Sequence, residues 1–166
     1  MLARNPEALT EQGECHMSKV MIADCASAAG VRISPDDTNY FVMLFDATHG
    51  IEQVCVVEIF CAGGATPPNV HQSAHEIFFV IEGEGVAICD GEETPLRKGQ
   101  AMLVPPGVLH VVRNTGQGKL YTLTTMCPNE GFAEMLRAGS PVPLDAGDLD
   151  VLTGVAERAR QQEHIH

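Results

Sequence analysis

Between Tyr40 and Cys127 short apolar runs alternate with Gly, Pro and Asp turns, a spacing that predicts strands in an all-β sandwich or barrel. Tyr40 to Phe45 reads as a strand, His49 and Gly50 as a bend, and QVCVVEIFC, from Gln53 to Cys61, as a β-branched and largely buried strand. EIFFVIEG then runs into a Gly-Glu-Gly turn and VAICD into Asp90-Gly91. A TPLRKGQ link leads to AMLV and the Pro105-Pro106-Gly107 turn, and HVVRN and KLYTLTTM complete the series on either side of Thr115 to Gly118. No helical periodicity interrupts these runs.

The flanks read differently. Residues 1–39 are expected to form an N-terminal arm or short helix, 40–128 the barrel, and 129–166 a helical segment and tail. Asn129 is placed to cap a helix through Phe132, Ala133, Met135 and Leu136, which Gly139 and Pro141 stop. A second helix is expected after Asp148, where Leu149, Leu152, Val155, Ala156 and Ala159 recur at helical spacing. The tail QQEHIH is too short to pack, and no site is built on His164 or His166.

Composition narrows the partners. With 22 acidic and 10 basic residues the formal net charge is −12, and Arg97, Lys98, Arg113 and Lys119 form no basic run. Such a chain is repelled by nucleic acid and by anionic membranes, so neither is expected as a partner. No stretch approaches the roughly 18 apolar residues of a membrane span. The six cysteines include no CxxC pair and no apolar signal segment precedes them, which points to free thiols in a reducing cytoplasm.

The candidate chemistry lies in two segments, NVHQSAHEIFFVIEG from Asn69 and GQAMLVPPGVLHVVRN from Gly99. Strand alternation puts Glu76, Phe78 and Val80 on one face and Ile77, Phe79 and Ile81 on the other. A carboxylate on an otherwise apolar face needs a compensating partner, and a divalent cation supplies one. His71 and His110 each follow a Pro-containing turn that presents the imidazole near the end of a strand. Two imidazoles and a carboxylate suit Fe, Mn, Ni or Zn and leave coordination positions open. Phe78, Val80, Met102, Val104 and Val112 are expected to line the pocket. No Lys or Arg is clearly placed inward for a phosphate, although Arg32 from the arm could enter.

The second segment matches the pattern GX5PXGX2HX3N through Gly99, Pro105, Gly107, His110 and Asn114. It resembles the second motif of the cupin superfamily. The first segment is similar to that family's GX5HXHX3-4EX6G through Gly63, His71, Glu76 and Gly83, with Asn69 in place of the first histidine. The resemblance implies a double-stranded β-helix, the jelly-roll cupin barrel, with an N-terminal arm and short C-terminal helices. It also implies one divalent transition metal per chain, held by His71, Glu76, His110 and, in the variant position, Asn69. His75 is a substitute ligand or an outer residue of the site, since it adjoins Glu76 and faces the other way on a regular strand. Small cupins commonly pair as homodimers, and the apolar outer face at Ile77, Phe79 and Ile81 gives a reason for pairing here.

Three function classes follow. A small organic molecule beside a metal with open positions suits a dioxygenase-type oxidoreductase. A non-catalytic small-molecule binder or sensor, and a metal-independent isomerase or epimerase using His71 or His110 as base, stay open. No residue is assigned a catalytic role.

Overall fold

The computed structural model describes residues 20–154. Among these, β1 (Gly30–Arg32), β2 (Asn39–Phe45), β3 (Val54–Phe60), β4 (His75–Glu82), β7 (Ala101–Val104), β9 (Leu120–Cys127) and β10 (Ser140–Val142) form one antiparallel sheet, in the order β10-β1-β2-β3-β9-β4-β7. A second sheet, ordered β6-β5-β8, combines β5 (Glu84–Cys89), β6 (Glu92–Arg97) and β8 (His110–Asn114). The jelly-roll cupin fold expected from the sequence is the one observed. Helices α1 (Phe132–Ala138) and α2 (Ala146–Thr153) follow it.

Three details depart from the sequence reading. The TPLRKGQ link contains strand β6, joined to β5 by a tight hairpin in which Asp90 and Gly91 both have positive φ (49° and 89°). Its residues are mostly exposed, so no apolar alternation announces it, and Pro95 is tolerated because β6 is an edge. Residues 30–32 of the expected arm are β1, which pairs with β2 and with β10 beyond the first helix. Three-residue strands carry no readable period. The second helix starts at Ala146, capped by Asp145, and ends at Gly154; Val155, Ala156 and Ala159 lie outside the described residues, as do Cys15, His164 and His166.

Asp148 is therefore inside α2 rather than before it. Its fully buried carboxylate accepts from Tyr40 Oη (2.7 Å), Tyr121 Oη (2.9 Å) and Lys119 Nζ (2.7 Å), tying the helix to β2 and β9. The N-cap of α1 is Gly131 rather than the expected Asn129, which lies two residues earlier and whose Oδ1 still accepts from the Ala133 amide in the first turn at 2.7 Å.

The motif residues have visible structural tasks. Asn114 is 2% exposed, and its Nδ2 donates to the carbonyls of Cys61 (2.9 Å) and Gly118 (2.8 Å), locking three segments at one corner. Gly107 (φ 81°) turns the chain so that its amide donates to the His71 carbonyl at 2.8 Å. That bond draws the two motifs together.

Inside the barrel, Phe60, Val80, Ala87, Leu96, Val104, Val112 and Leu120 pack as one apolar cluster with Phe78. On the outer face of β4, Ile77 and Phe79 are 42% and 41% exposed, beside Leu103 at 58%, whereas Ile81 packs against the cluster of Tyr40, Val42, Val57, Ile59 and Tyr121.

Candidate metal centre

Alternation along β4 is regular, with Glu76, Phe78 and Val80 buried and His75, Ile77 and Phe79 exposed. Glu76 thus enters the barrel from the second residue of its strand. Residues 65–69 run antiparallel to β8: the Asn69 amide donates to the His110 carbonyl (3.0 Å) and the His110 amide to the Asn69 carbonyl (2.9 Å). This pairing carries His71 alongside His110.

The three side chains converge. His71 Nε2 lies 2.9 Å and His110 Nε2 3.0 Å from the same Glu76 oxygen, Oε2, and ligand atoms from all three residues fall within 4.8 Å of one another. All three residues are buried. His110 Nδ1 donates to the Val108 carbonyl at 3.1 Å, which leaves Nε2 as the free coordinating nitrogen. Nitrogen and carboxylate lone pairs that face one another in a buried space require a cation between them, either a proton or a metal ion. The donor set fits a divalent transition metal, with both imidazoles and one carboxylate presented and the remaining positions toward the cavity.

The electrostatics agree. Burial opposes ionisation of Glu76, but hydrogen bonds from His110 and His71 outweigh it and hold the carboxyl below its ordinary range. For His110, burial disfavours the charged ring, and the bonds to Glu76 and the Val108 carbonyl overcome this and raise its pKa. Without metal, the cluster is a proton trap.

The cluster opens into a cavity of about 400 Å³ bounded also by Phe41, Phe78, Met126 and Phe132. Of the five residues expected to line it, Phe78 does. Val80, Val104 and Val112 instead belong to the apolar cluster, against which Met102 packs. Val80 and Val112 sit farther along the inward faces of their strands than Glu76 and His110, and Val104, paired opposite Glu76, is packed into the cluster, so facing inward places a residue in the barrel without choosing between the mouth and the packed interior. His75 lies on the exposed outer face of β4, so it neither substitutes as a ligand nor supports one. His49 closes the cap of a short turn with Asp46, as a turn residue does. Arg32 stacks near Tyr40 (5.9 Å) and is not part of the cavity wall.

Asn69 reaches the site's edge. Its Nδ2 lies 3.3 Å from His71 Nε2, and a ligating role requires the amide to turn and present Oδ1. Substituting histidine there places an imidazole in the same position. We expect Asn69→His to raise affinity for Zn or Ni by about tenfold or more, because imidazole outbinds an amide oxygen for late divalent metals; competition against a chromogenic chelator measures it.

Two residues near the site were missed in the sequence. Glu130 accepts from the amides of Gln72 (3.1 Å), Ser73 and Ala74 (2.9 Å) and from the Ser73 hydroxyl (2.6 Å), and its Oε2 lies 3.8 Å from His71 Nδ1. These bonds, the Ser73 hydroxyl foremost, push its pKa down to about 2. It anchors the loop that carries His71, through a contact 57 residues distant that no local pattern reveals. Glu58, on β3, is 2% exposed and receives a 2.6 Å bond from Asn39 Nδ2. Burial, and secondarily the charge of Glu76, pushes its carboxyl up to about 8. Alternation along QVCVVEIFC could have found it, since Glu58 shares the inward face with Val54, Val56 and Phe60.

A jelly roll enclosing a His-Glu-His cluster defines a class of barrels with a candidate metal site inside. Residues 56–126 match the cupin domain family, and the barrel has the fold of solved cupin structures. Among curated proteins it is similar to oxalate oxidase 1 of Hordeum vulgare, with 29% identity over 113 residues covering 59% of this chain and 56% of that one. It is also similar to an oxalate-binding protein of Thermotoga maritima, with 28% identity over 64 residues, 39% of this chain and 53% of that one. The chain thus spans little more than half the length of these relatives. Among solved structures, a predicted oxalate decarboxylase from Thermotoga maritima aligns with a TM-score of 0.57 at 22% identity, over 64% of this chain and 97% of that one. KdgF from Halomonas sp. aligns with a TM-score of 0.57 at 16% identity, over 66% and 94%. These identities establish a shared fold.

Proposed function

We propose that this chain is a metal-dependent oxidoreductase of the dioxygenase type, acting on a small organic molecule inside the barrel. The observation that carries the reading is the buried His71-Glu76-His110 cluster at the wall of a 400 Å³ cavity. His71, His110 and Glu76 would hold one divalent metal, with Asn69 at the fourth position, and a redox-active ion there supplies electron transfer between substrate and oxygen. The protein's own share is positioning. Glu130 fixes the loop of His71, the Val108 carbonyl sets the His110 tautomer, and Phe41, Phe78, Met126 and Phe132 keep the cavity wall apolar, which favours a ligand with a hydrophobic portion.

Oxygen uptake tests this reading. Chain reconstituted with Fe or Mn is expected to consume oxygen in the presence of its substrate, and the Zn form is not, so a panel of small carboxylic and hydroxylated acids assayed with each metal decides it. A binder or sensor is the second reading, favoured by the similarity to an oxalate-binding protein; it requires a ligand recovered unchanged with every metal.

The same reading includes a homodimer. Ile77, Phe79 and Leu103 form a continuous apolar strip on β4 and the edge strand β7, and such strips are covered in stable assemblies. Sedimentation is expected to give a dimer for the native chain and a monomer for Phe79→Lys, with the metal content unchanged.

A further inference from the structure

The cavity wall contains a second polar group that the metal centre does not use. Asn39 and Glu58, each 2% exposed, both border it. Glu58 accepts from Asn39 Nδ2 at 2.6 Å and from the Thr124 hydroxyl, and Thr124 in turn shares a 2.9 Å bond with Thr122. These four buried polar residues come from three neighbouring strands, β2, β3 and β9, whose other inward residues are apolar.

An acid is a costly residue for that position. A glutamine would accept the same hydrogen bonds without placing an acid in an apolar wall. Of the four carboxyl residues bordering the cavity, three are already engaged. Glu76 faces the two histidines, Glu130 holds the amides of residues 72–74, and Asp37 accepts from the Ser34 amide at 2.7 Å. Glu58 has only neutral side-chain partners. Nor does any Lys or Arg among the described residues border the cavity. The field inside it is negative wherever the metal does not neutralise it, which disfavours a second carboxylate on a ligand and favours a hydrogen-bond donor.

We propose that Asn39 and Glu58 form a second subsite of this cavity, which takes the hydroxyl or ammonium group of a ligand whose other end carries the metal-binding oxygen. The inference rests on the metal-centre reading for that other end and deepens it. It sets this chain apart from a protein built for a small dicarboxylate such as oxalate, in which both ends are anionic. Specificity of this kind comes from leaving a buried polar group unsatisfied when the wrong ligand binds.

Calorimetric titration of the Zn-loaded chain at alkaline pH, where the Glu58 carboxyl is ionised, tests the proposal. The probes are 3-hydroxypropanoate and 4-aminobutanoate, against malonate and succinate as dicarboxylates of matching length. At least one donor-bearing probe is expected to bind about tenfold or more tightly than its dicarboxylate, and Glu58→Gln to bring the two within about threefold of each other. Equal or tighter binding of the dicarboxylates, an unchanged preference in Glu58→Gln, or no binding of either donor probe overturns it. Metal content is measured first on the same samples. A chain that retains no Zn fails the metal reading, and the same titrations on that metal-free chain still decide the role of Glu58. Asn39→Ala, expected to weaken the donor probes while leaving metal content intact, guards against a Glu58 variant that misfolds.

Discussion

Replacing His110 by alanine is expected to empty the metal centre, lowering affinity for Zn or Mn by more than about 100-fold, since even losing a residue that merely orients a ligand costs 10- to 100-fold. His110 is 2% exposed and held by its Nδ1 bond to Val108, so its Nε2 arrives in place without rearrangement. Neither His75, on the outer face, nor Asn69, which presents an amide nitrogen, can replace it. The loss also leaves Glu76, 5% exposed, with His71 as its remaining imidazole partner. A buried carboxylate stripped of a partner reverts toward its neutral form, which removes the second ligand as well. Elemental analysis of chelator-free preparations reads the result. Stoichiometric metal in the native chain and none in His110→Ala supports the centre, whereas equal metal in both proteins rules out His110 as a ligand. The native site should also lose metal on acidification, because protons compete for the same nitrogen atoms.

How much of this was visible beforehand depends on what each residue answers to. Strands β4 and β8, with a clean period of two, were legible with their inward faces, β3 was legible as a strand buried on both sides, and His71, Glu76 and His110 were legible because Gly and Pro turns pin their register. Strand β6 was not, since an edge strand with a single buried apolar residue, Leu96, has no readable apolar period. The pairing of β1 with β10 joins segments about 110 residues apart, and Glu130 reaches the His71 loop in the same non-local way. The cavity wall was legible in part. Alternation says which residues face in, but only the closure of the sheets shows that Phe78 meets the cavity while Val80, one step along the same face, is packed.

Glu58 gives the second large effect, in the opposite direction from most core substitutions. The metal-free Glu58→Gln chain is expected to be more stable than the native one at alkaline pH, by about 5 kcal/mol. A carboxyl held at about 8 in the folded chain, against an ordinary 4.5, makes the native state retain a proton that the unfolded chain has released. Between those values the folded state binds more protons, so stability falls as pH rises, by about 1.4 kcal/mol per pH unit, and the full cost is present above the folded value. Glutamine keeps the hydrogen bonds of Asn39 and Thr124 and has no proton to lose. Below about pH 4, where both forms of Glu58 are neutral, the two proteins should converge. The Glu76-His110 pair is present in both proteins, where stability due to the depressed Glu76 is lost as pH falls and that due to the raised His110 is lost as pH rises through its folded value, so apart from its coupling to Glu58 its contribution cancels. The difference between the two denaturation curves therefore isolates Glu58. Burial outranks Glu76 among the causes of its shift, so metal at Glu76 should remove only the smaller part of the effect. Chemical denaturation across the pH range measures this, and parallel curves would mean that Glu58 is ionised in the folded chain. The stability that glutamine restores is what the chain forgoes by keeping an acid in the wall of its cavity. That sacrifice is intelligible if the acid meets a ligand and has no evident purpose if it does not.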